Sequence, residues 1–155
     1  MNFLKKTALG VVALMTSLLF AGLVQADTSM PSVDKNGVAA RGYDPVAYFV
    51  ERRAVKGKPA FAVELENGVI YHFSSGENQA IFIADPNRYL PQYGGRCAFA
   101  AAQGTMAEGD PNTFRVIDGK LYFIANRSTA NKWSQNASSL IRKADANALK
   151  GDAKP

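Results

Sequence analysis

The only histidine and the only cysteine of the 155-residue chain are His72 and Cys97, which lie in one dense segment, residues 71–98. Chemistry that requires an imidazole or a thiolate must therefore use one of these two side chains. A thiolate is a good ligand for Cu(I) or Zn(II) and a reactive redox group. With His72, it could form a two-ligand metal site or a Cys–His nucleophilic pair. The alternatives are a small buried apolar side chain for Cys97 and a hydrogen-bonded, partly buried imidazole for His72.

The residues around Cys97 favour a reactive thiol. An alanine-rich stretch, residues 96–103, predicts a short helix that ends at Gly104. In that helix Cys97 would lie in the first turn, where free amide groups and the helix dipole stabilise a thiolate, and Arg96 adds positive charge. A single thiol cannot form an internal disulfide bond, so it must stay free, bind a ligand or link two chains.

Other candidate site residues lie within this segment or near it in the sequence. Met106 offers a thioether to a soft metal, although such a methionine more often fills a gap in the core. Four polar or aromatic residues could line a pocket for a small ligand: Tyr43, Asp44, Tyr93 and Arg96. The alternative is that the tyrosines form the core and the hydrogen-bonded corners of a small fold. Ser74 and Ser75 are interpreted as helix caps rather than as nucleophiles.

Several classes of activity are excluded by the composition and the motifs. The chain has no HExxH motif, no CxxC motif and no glycine-rich phosphate loop, and a single histidine rules out a multi-histidine metal site within one chain. No nucleophile elbow is present to serve a Ser-His-Asp hydrolase. The formal net charge is +5, but the basic residues are scattered, so nucleic-acid binding is not expected.

The segment from Met1 to Ala26 has the pattern of a secretory signal peptide. Lys5 and Lys6 precede an apolar run from Ala8 to Val24, and cleavage is expected after Ala26. This predicts a periplasmic or secreted protein with no membrane span after cleavage. An uncleaved segment that anchors the protein in the membrane is the alternative.

The remaining chain is predicted to consist of a flexible leader, residues 27–36, one folded domain, residues 37–149, and a tail, residues 150–155. Within the domain, residues 43–50 are rich in aromatic and β-branched side chains and predict a strand. Asn67-Gly68 and Asp118-Gly119 each separate two apolar segments, and such dipeptides are strong hairpin signals.

Helices are expected after both hairpins. Residues 74–77 fit a capping box, which predicts a helix over residues 77–84. A second helical region is predicted over residues 129–149, with a break near Asn136.

The two hairpins resemble copies of each other. Residues 67–73 align with residues 118–124, and the register continues until Phe82 is aligned with Trp133. Short matches of this kind also arise by chance. If the repeat is real, His72 occupies the position of Phe123 in the second unit, which favours a packed, half-buried site for the imidazole.

The order of these motifs resembles the YHS-domain family, in particular its small exported members. The matching segments, within residues 37–148, are residues 42–49, 71–77, 85–98, 109–111 and 118–122. The resemblance implies an α+β domain around a ββα unit, similar to treble-clef-like domains that bind metals through several cysteines. YHS domains also occur beside copper and heavy-metal transport proteins, although this chain has one cysteine and carries Arg96 where an aromatic residue is common.

The observations are more consistent with an exported binding protein than with an enzyme. Three functions follow from them. The first is the handling of Cu(I) or another soft metal ion by Cys97, assisted by His72 or Met106. The second is a redox role in which Cys97, activated by Arg96, reacts with peroxides or thiols. The third is an interaction module that binds a small ligand or a protein partner through its tyrosine-rich face, or that forms a Cys97-linked homodimer.

Overall fold

The computed structural model describes residues 31–151, so the predicted signal peptide and the cleavage point after Ala26 lie outside the described residues. Within residues 31–151, no helix is long and apolar enough to cross a membrane. The described end of the predicted leader hydrogen-bonds to the domain, since the Ser32 amide donates to the Gly94 carbonyl over 2.8 Å.

The described chain is a mixed α+β structure with two separate antiparallel sheets of two strands and six α-helices, which confirms the α+β part of the predicted fold class. In chain order the elements are α1 (Ala47–Val50), β1 (Lys58–Glu64), β2 (Ile70–Phe73), α2 (Gly76–Ala84), α3 (Pro86–Tyr89), α4 (Ala98–Ala102), β3 (Asp110–Ile117), β4 (Lys120–Ile124), α5 (Arg127–Gln135) and α6 (Ala137–Gly151). Two short 3-10 turns, Ala40–Gly42 and Gln92–Gly95, precede α1 and α4.

Both predicted hairpins are confirmed. Strand β1 pairs with β2 and β3 pairs with β4, and the chain reverses at the predicted dipeptides. Asp118 and Gly119 both have a positive φ, as a two-residue type I′ turn requires, and Gly68 has a φ of 79°. Each hairpin has one register irregularity, between Lys58 and Ala62 in β1 and between Asp110 and Phe114 in β3.

The predicted helices after the hairpins are also confirmed, but the first cap differs from the prediction. Helix α2 begins after Ser75, whose hydroxyl accepts the Asn78 amide over 3.2 Å. A capping box that ends at Glu77 would have Ser74 as the cap residue. The observed cap is therefore one residue later than predicted, and Ser74 does not cap the helix. The last helical region is divided at Asn136, as expected, into α5 and α6.

The prediction of a strand over residues 43–50 was wrong, because this segment contains helix α1. The Asp44 carboxylate accepts the amides of Val46 and Ala47 over 2.9 and 3.2 Å, and this bonding starts a helical turn. Pro45 favours the same turn because its φ is fixed and it has no amide to satisfy. The aromatic and β-branched residues that suggested a strand instead bury this short helix in the core, where Tyr48 is 1% exposed.

The internal repeat extends beyond the hairpins. The alignment that places Asn67 on Asp118 also places the first and last residues of α2 on those of α5, and it places the capping residue Ser75 on Asn126. Asn126 accepts the Thr129 amide just as Ser75 accepts that of Asn78. We call residues 38–84 the first unit and residues 91–135 the second unit; α3 connects them and α6 follows.

Strand β4 lies between two hydrophobic clusters. Leu121 and Phe123 point into one cluster, whereas Tyr122 and Ile124 point into the other, as expected for alternating side chains on a strand. The first cluster also contains Tyr48, Tyr71, Phe73 and Phe82, and the second contains Tyr93, Cys97, Ala98 and Trp133. The second unit therefore supplies part of the core of the first.

Candidate functional site

His72 lies on β2 in a position set by two glycines. A Cβ atom on Gly57 would lie only 2.5 Å from the carbonyl carbon of His72 and 2.6 Å from its Cβ, so the backbone there passes directly against the histidine. A Cβ atom on Gly42 would lie 3.5 Å from Nδ1 of the ring. The imidazole is half-buried, as the repeat predicted, and remains partly open to solvent.

A linked set of polar groups begins beside this imidazole. Lys56 Nζ would lie 3.7 Å from the same Cβ position on Gly42, and it donates to the Arg41 carbonyl. It also lies 4.5 Å from the centroid of the Tyr43 ring, a cation–π contact. The Tyr43 hydroxyl accepts the side-chain amide of Asn112 over 3.2 Å. We call the surface formed by Arg41, Tyr43, Lys56, His72 and Asn112 the His72 face.

An exposed carboxylate also lies near this face. The backbone amides of Val38 and Asn36 donate to Asp34 and hold the pKa of its carboxyl below its usual value. Electrostatic interaction with His72 lowers the Asp34 pKa further, with a smaller effect. The imidazole therefore has cationic and anionic groups close to it.

Cys97 is in a different environment. Its side chain is 2% exposed, and Sγ accepts the Ala125 amide over 3.2 Å. Cys97 is the residue before α4, with an extended backbone, so its predicted place in the first helical turn was wrong. Its own amide donates to the Ala107 carbonyl over 2.9 Å, which holds the chain extended at this point. The thiol thus faces the interior and not an open helix terminus.

The predicted metal ligands lie on different elements of the fold. Within the part of the chain that the structure describes, no three His, Cys, Asp or Glu side chains are arranged to hold a metal ion. His72 belongs to the first unit, whereas Cys97 belongs to the second. Met106 is 80% exposed on the loop after α4.

Asp44 was predicted to bind a ligand, but both oxygens of its carboxylate accept hydrogen bonds from groups of the protein itself. Its exposure is 0%, and one carboxylate oxygen accepts the two amides at the start of α1. The other accepts the Ser74 amide over 2.8 Å, the Ser74 hydroxyl over 2.7 Å and the Asn78 side-chain amide over 2.7 Å. Five donors thus satisfy a buried carboxylate, and this bonding fixes α1 against the start of α2.

The other predicted pocket residues belong to two different units. Tyr43 is in the first unit, on the His72 face. Tyr93 and Arg96 are in the second unit, where the Tyr93 hydroxyl donates to Asp145 over 2.8 Å and an Arg96 nitrogen lies 3.5 Å from Glu108.

The sequence did not reveal Lys56 and Asn112 as members of the His72 face. They lie on the loop before β1 and on β3, and only the folded chain brings them beside Tyr43. Both residues are ordinary surface types with no motif around them, so no local signal could have identified them.

Comparison with models of protein families gives no match, and searches of the curated proteins and of the solved structures find no match either. The functional assignment therefore rests on the residues and on their geometry.

Proposed function

We propose that the protein is an exported, non-enzymatic binding module of the YHS type, and that a small ligand contacts its His72 face. The YHS assignment rests on the ordered motifs in the sequence, and export rests on the signal-like segment that ends at Ala26. The α+β architecture with two hairpin-plus-helix units is compatible with the ββα core that the resemblance implies.

One observation carries the proposal. His72 occupies the position that Phe123, 1% exposed, fills in the second unit. Complete burial of a phenylalanine contributes roughly 1.5–3 kcal/mol. The first unit forgoes this contribution and instead presents an imidazole that solvent reaches. Local stability of this kind is given up mainly at functional sites, which supports a role for His72 in recognition.

The neighbouring groups support binding rather than catalysis. Lys56 is bonded to the Arg41 carbonyl, and Tyr43 to Asn112. These groups therefore serve as fixed elements of a polar surface that contains Arg41, Lys56 and His72. Its positive charges favour anions as ligands, whereas a metal ion could bind only through the imidazole nitrogen of His72.

Soft-metal binding is a narrower form of this proposal. Cu(I) is held well by thiolate, thioether and imidazole ligands. The imidazole is accessible, but a metal could reach Cys97 only after its bond to the Ala125 amide breaks and the cluster around it opens. Cu(I) bound to the native fold is therefore expected at His72 and not at the thiol.

The test is a pair of amide-detected NMR titrations of the mature chain, one with Cu(I) under reducing conditions and one with inorganic phosphate. We expect saturable shifts at His72, Tyr43 and Lys56 with one of these probes. His72→Phe installs the residue of the second unit and should abolish the shifts, whereas Cys97→Ser should retain them. Shifts centred on Cys97, or no saturable shift with either probe, would contradict the proposal.

A further inference from the structure

We infer that Cys97 is the structural counterpart of Asp44. In the first unit, the Asp44 carboxylate accepts the backbone amide of the residue before the helix cap. The Cys97 sulfur accepts the equivalent amide in the second unit. The inference does not depend on a ligand at the His72 face, and it assigns the lone thiol to the architecture of the fold.

The backbone places the two residues at equivalent positions. The Asp44 amide donates to the Val55 carbonyl over 2.9 Å, and the Cys97 amide donates to the Ala107 carbonyl over the same distance. The residues just before them form matching antiparallel bridges, Tyr43 with Lys56 and Arg96 with Glu108.

The turns before the two residues also match. Each is preceded by three consecutive left-handed residues and then one extended residue. The left-handed residues are Ala40, Arg41 and Gly42, with φ of 51, 50 and 73°, and Tyr93, Gly94 and Gly95, with φ of 55, 61 and 77°. Left-handed residues other than glycine are uncommon, and a run of three is more so. Two such runs at the same place in two units indicate that one local structure occurs twice.

The side chains make the corresponding hydrogen bond. Asp44 Oδ2 accepts the Ser74 amide over 2.8 Å, and Cys97 Sγ accepts the Ala125 amide over 3.2 Å. Ser74 and Ala125 are equivalent in the repeat, since each comes directly before the cap of its helix, Ser75 or Asn126. In both units the side chain thus fastens the end of a hairpin to the start of the unit.

The donors around the two side chains differ in number, and the neighbouring residues account for this difference. Asp44 also accepts from the Ser74 hydroxyl and from the Asn78 amide. At the equivalent positions of the second unit the chain has Ala125 and Thr129, and the Ala125 side chain has no donor. A thiol is a weak acceptor that tolerates apolar surroundings, so it suits a site where a single amide must be satisfied.

This role explains a lone cysteine that is almost completely buried. Its sulfur is engaged within the fold and has no second thiol to pair with, so neither a disulfide-linked dimer nor a reactive thiol is expected of the native protein.

Wild-type protein provides the first test. An aromatic disulfide reagent should react with Cys97 at least about 100-fold more slowly in the native state than in urea, because reaction requires opening of the cluster. Native reactivity close to that of the unfolded chain would overturn the inference.

Hydrogen exchange provides a local test. In Cys97→Ala the Ala125 amide should exchange at least about 10-fold faster relative to the global opening rate, while the Ser74 amide, bound by Asp44, keeps its protection. Cys97→Ser retains an acceptor and should preserve most of the protection of Ala125. Equal protection of Ala125 in the wild type and in Cys97→Ala would contradict the role of the sulfur.

A graft tests the equivalence itself. Cys97→Asp alone should lower the urea midpoint because it buries a carboxylate without counterparts of the Ser74 hydroxyl and the Asn78 side-chain amide. The addition of Ala125→Ser and Thr129→Asn recreates the Ser74 and Asn78 donors and should restore at least half of the lost midpoint. No recovery in the triple variant would show that the two sites differ in geometry; if the single variant does not fold, folding of the triple variant gives the same answer.

Discussion

The imidazole of His72 and the ring of Phe123 occupy equivalent positions in the two units, each with one glycine against its Cβ and another against its ring. A Cβ on Gly57 would lie 2.6 Å from that of His72, and a Cβ on Gly109 would lie 2.6 Å from that of Phe123. At both positions, just before β1 and just before β3, the backbone passes so close to its neighbour that only glycine fits. The main difference lies at the ring, which is half-buried in His72 and fully buried in Phe123.

Gly57→Ala should therefore destabilise the protein by steric overlap, by roughly 2 kcal/mol or more, because neither the His72 carbonyl nor its Cβ can move away freely. Gly109→Ala should have a similar effect, since its Cβ would lie 2.5 Å from the Gly95 carbonyl oxygen. Gly119→Ala is the control: its φ is +71° but nothing lies within 4 Å, so only backbone strain of about 1–2 kcal/mol is expected. Urea unfolding of the three variants measures the differences, and equal losses would indicate that the close approach does not matter.

Asp44→Ala should lower the free energy of unfolding by at least about 3 kcal/mol, because it leaves several buried donors without an acceptor. The matched control is Asp110→Ala. Asp110 also accepts several bonds, including the Asn112 amide and the Thr113 hydroxyl, but it is partly exposed and water can replace it, so its loss should cost about 1 kcal/mol. Chemical denaturation at neutral pH compares the two, and a smaller loss for Asp44→Ala than for Asp110→Ala would contradict the structural role of this carboxylate.

Alkaline pH should destabilise the protein through its buried tyrosines. Burial raises the pKa of Tyr122 to about 12, with the negative charges of Asp145 and Asp118 adding to the shift. Burial also raises the pKa values of Tyr48 and Tyr71 well above their usual value. Unfolded tyrosines ionise near pH 10, so unfolding releases protons above that pH, and stability is retained below about pH 10 and falls towards pH 12.

Denaturation curves from pH 8 to 11.5, with absorbance at 295 nm as the probe of ionisation, measure this effect. Tyr71→Phe removes one of the groups, so its stability should fall less steeply with pH than that of the wild type. Complete ionisation of all tyrosines near pH 10 in a chain that keeps its native circular dichroism would contradict the prediction.

The elements that the sequence revealed are those with local signals. Asn67-Gly68 and Asp118-Gly119 specify hairpins through backbone conformations that few other residues adopt, and Asn136 marks the break between α5 and α6. Residues 43–50 were misinterpreted because composition favoured a strand, whereas a single side chain, Asp44, starts a helix there. Its other partners, Ser74 and Asn78, lie far along the chain, beyond the first hairpin, so the full set of contacts becomes visible only in the folded chain.

The candidate site was only partly predictable. His72 could be identified because it is the only imidazole, and its packed, half-buried position followed from the alignment with Phe123. The equivalence of Asp44 and Cys97 could not be found in the sequence, because a carboxylate and a thiol share no pattern. What they share is a hydrogen bond to a particular amide, and the loops between equivalent positions differ slightly in length, which obscures the alignment.

The position of β4 bears on how such a chain must fold. Its alternating side chains complete two clusters, and Tyr48 of the first unit donates to the Pro111 carbonyl and packs against Phe123. Neither half can bury its own apolar surface alone, so unfolding should be a single cooperative event, and a cut between the halves should leave two chains that gain structure only when mixed. The two units repeat the same arrangement of a hairpin and a helix, but neither is expected to be stable without the other.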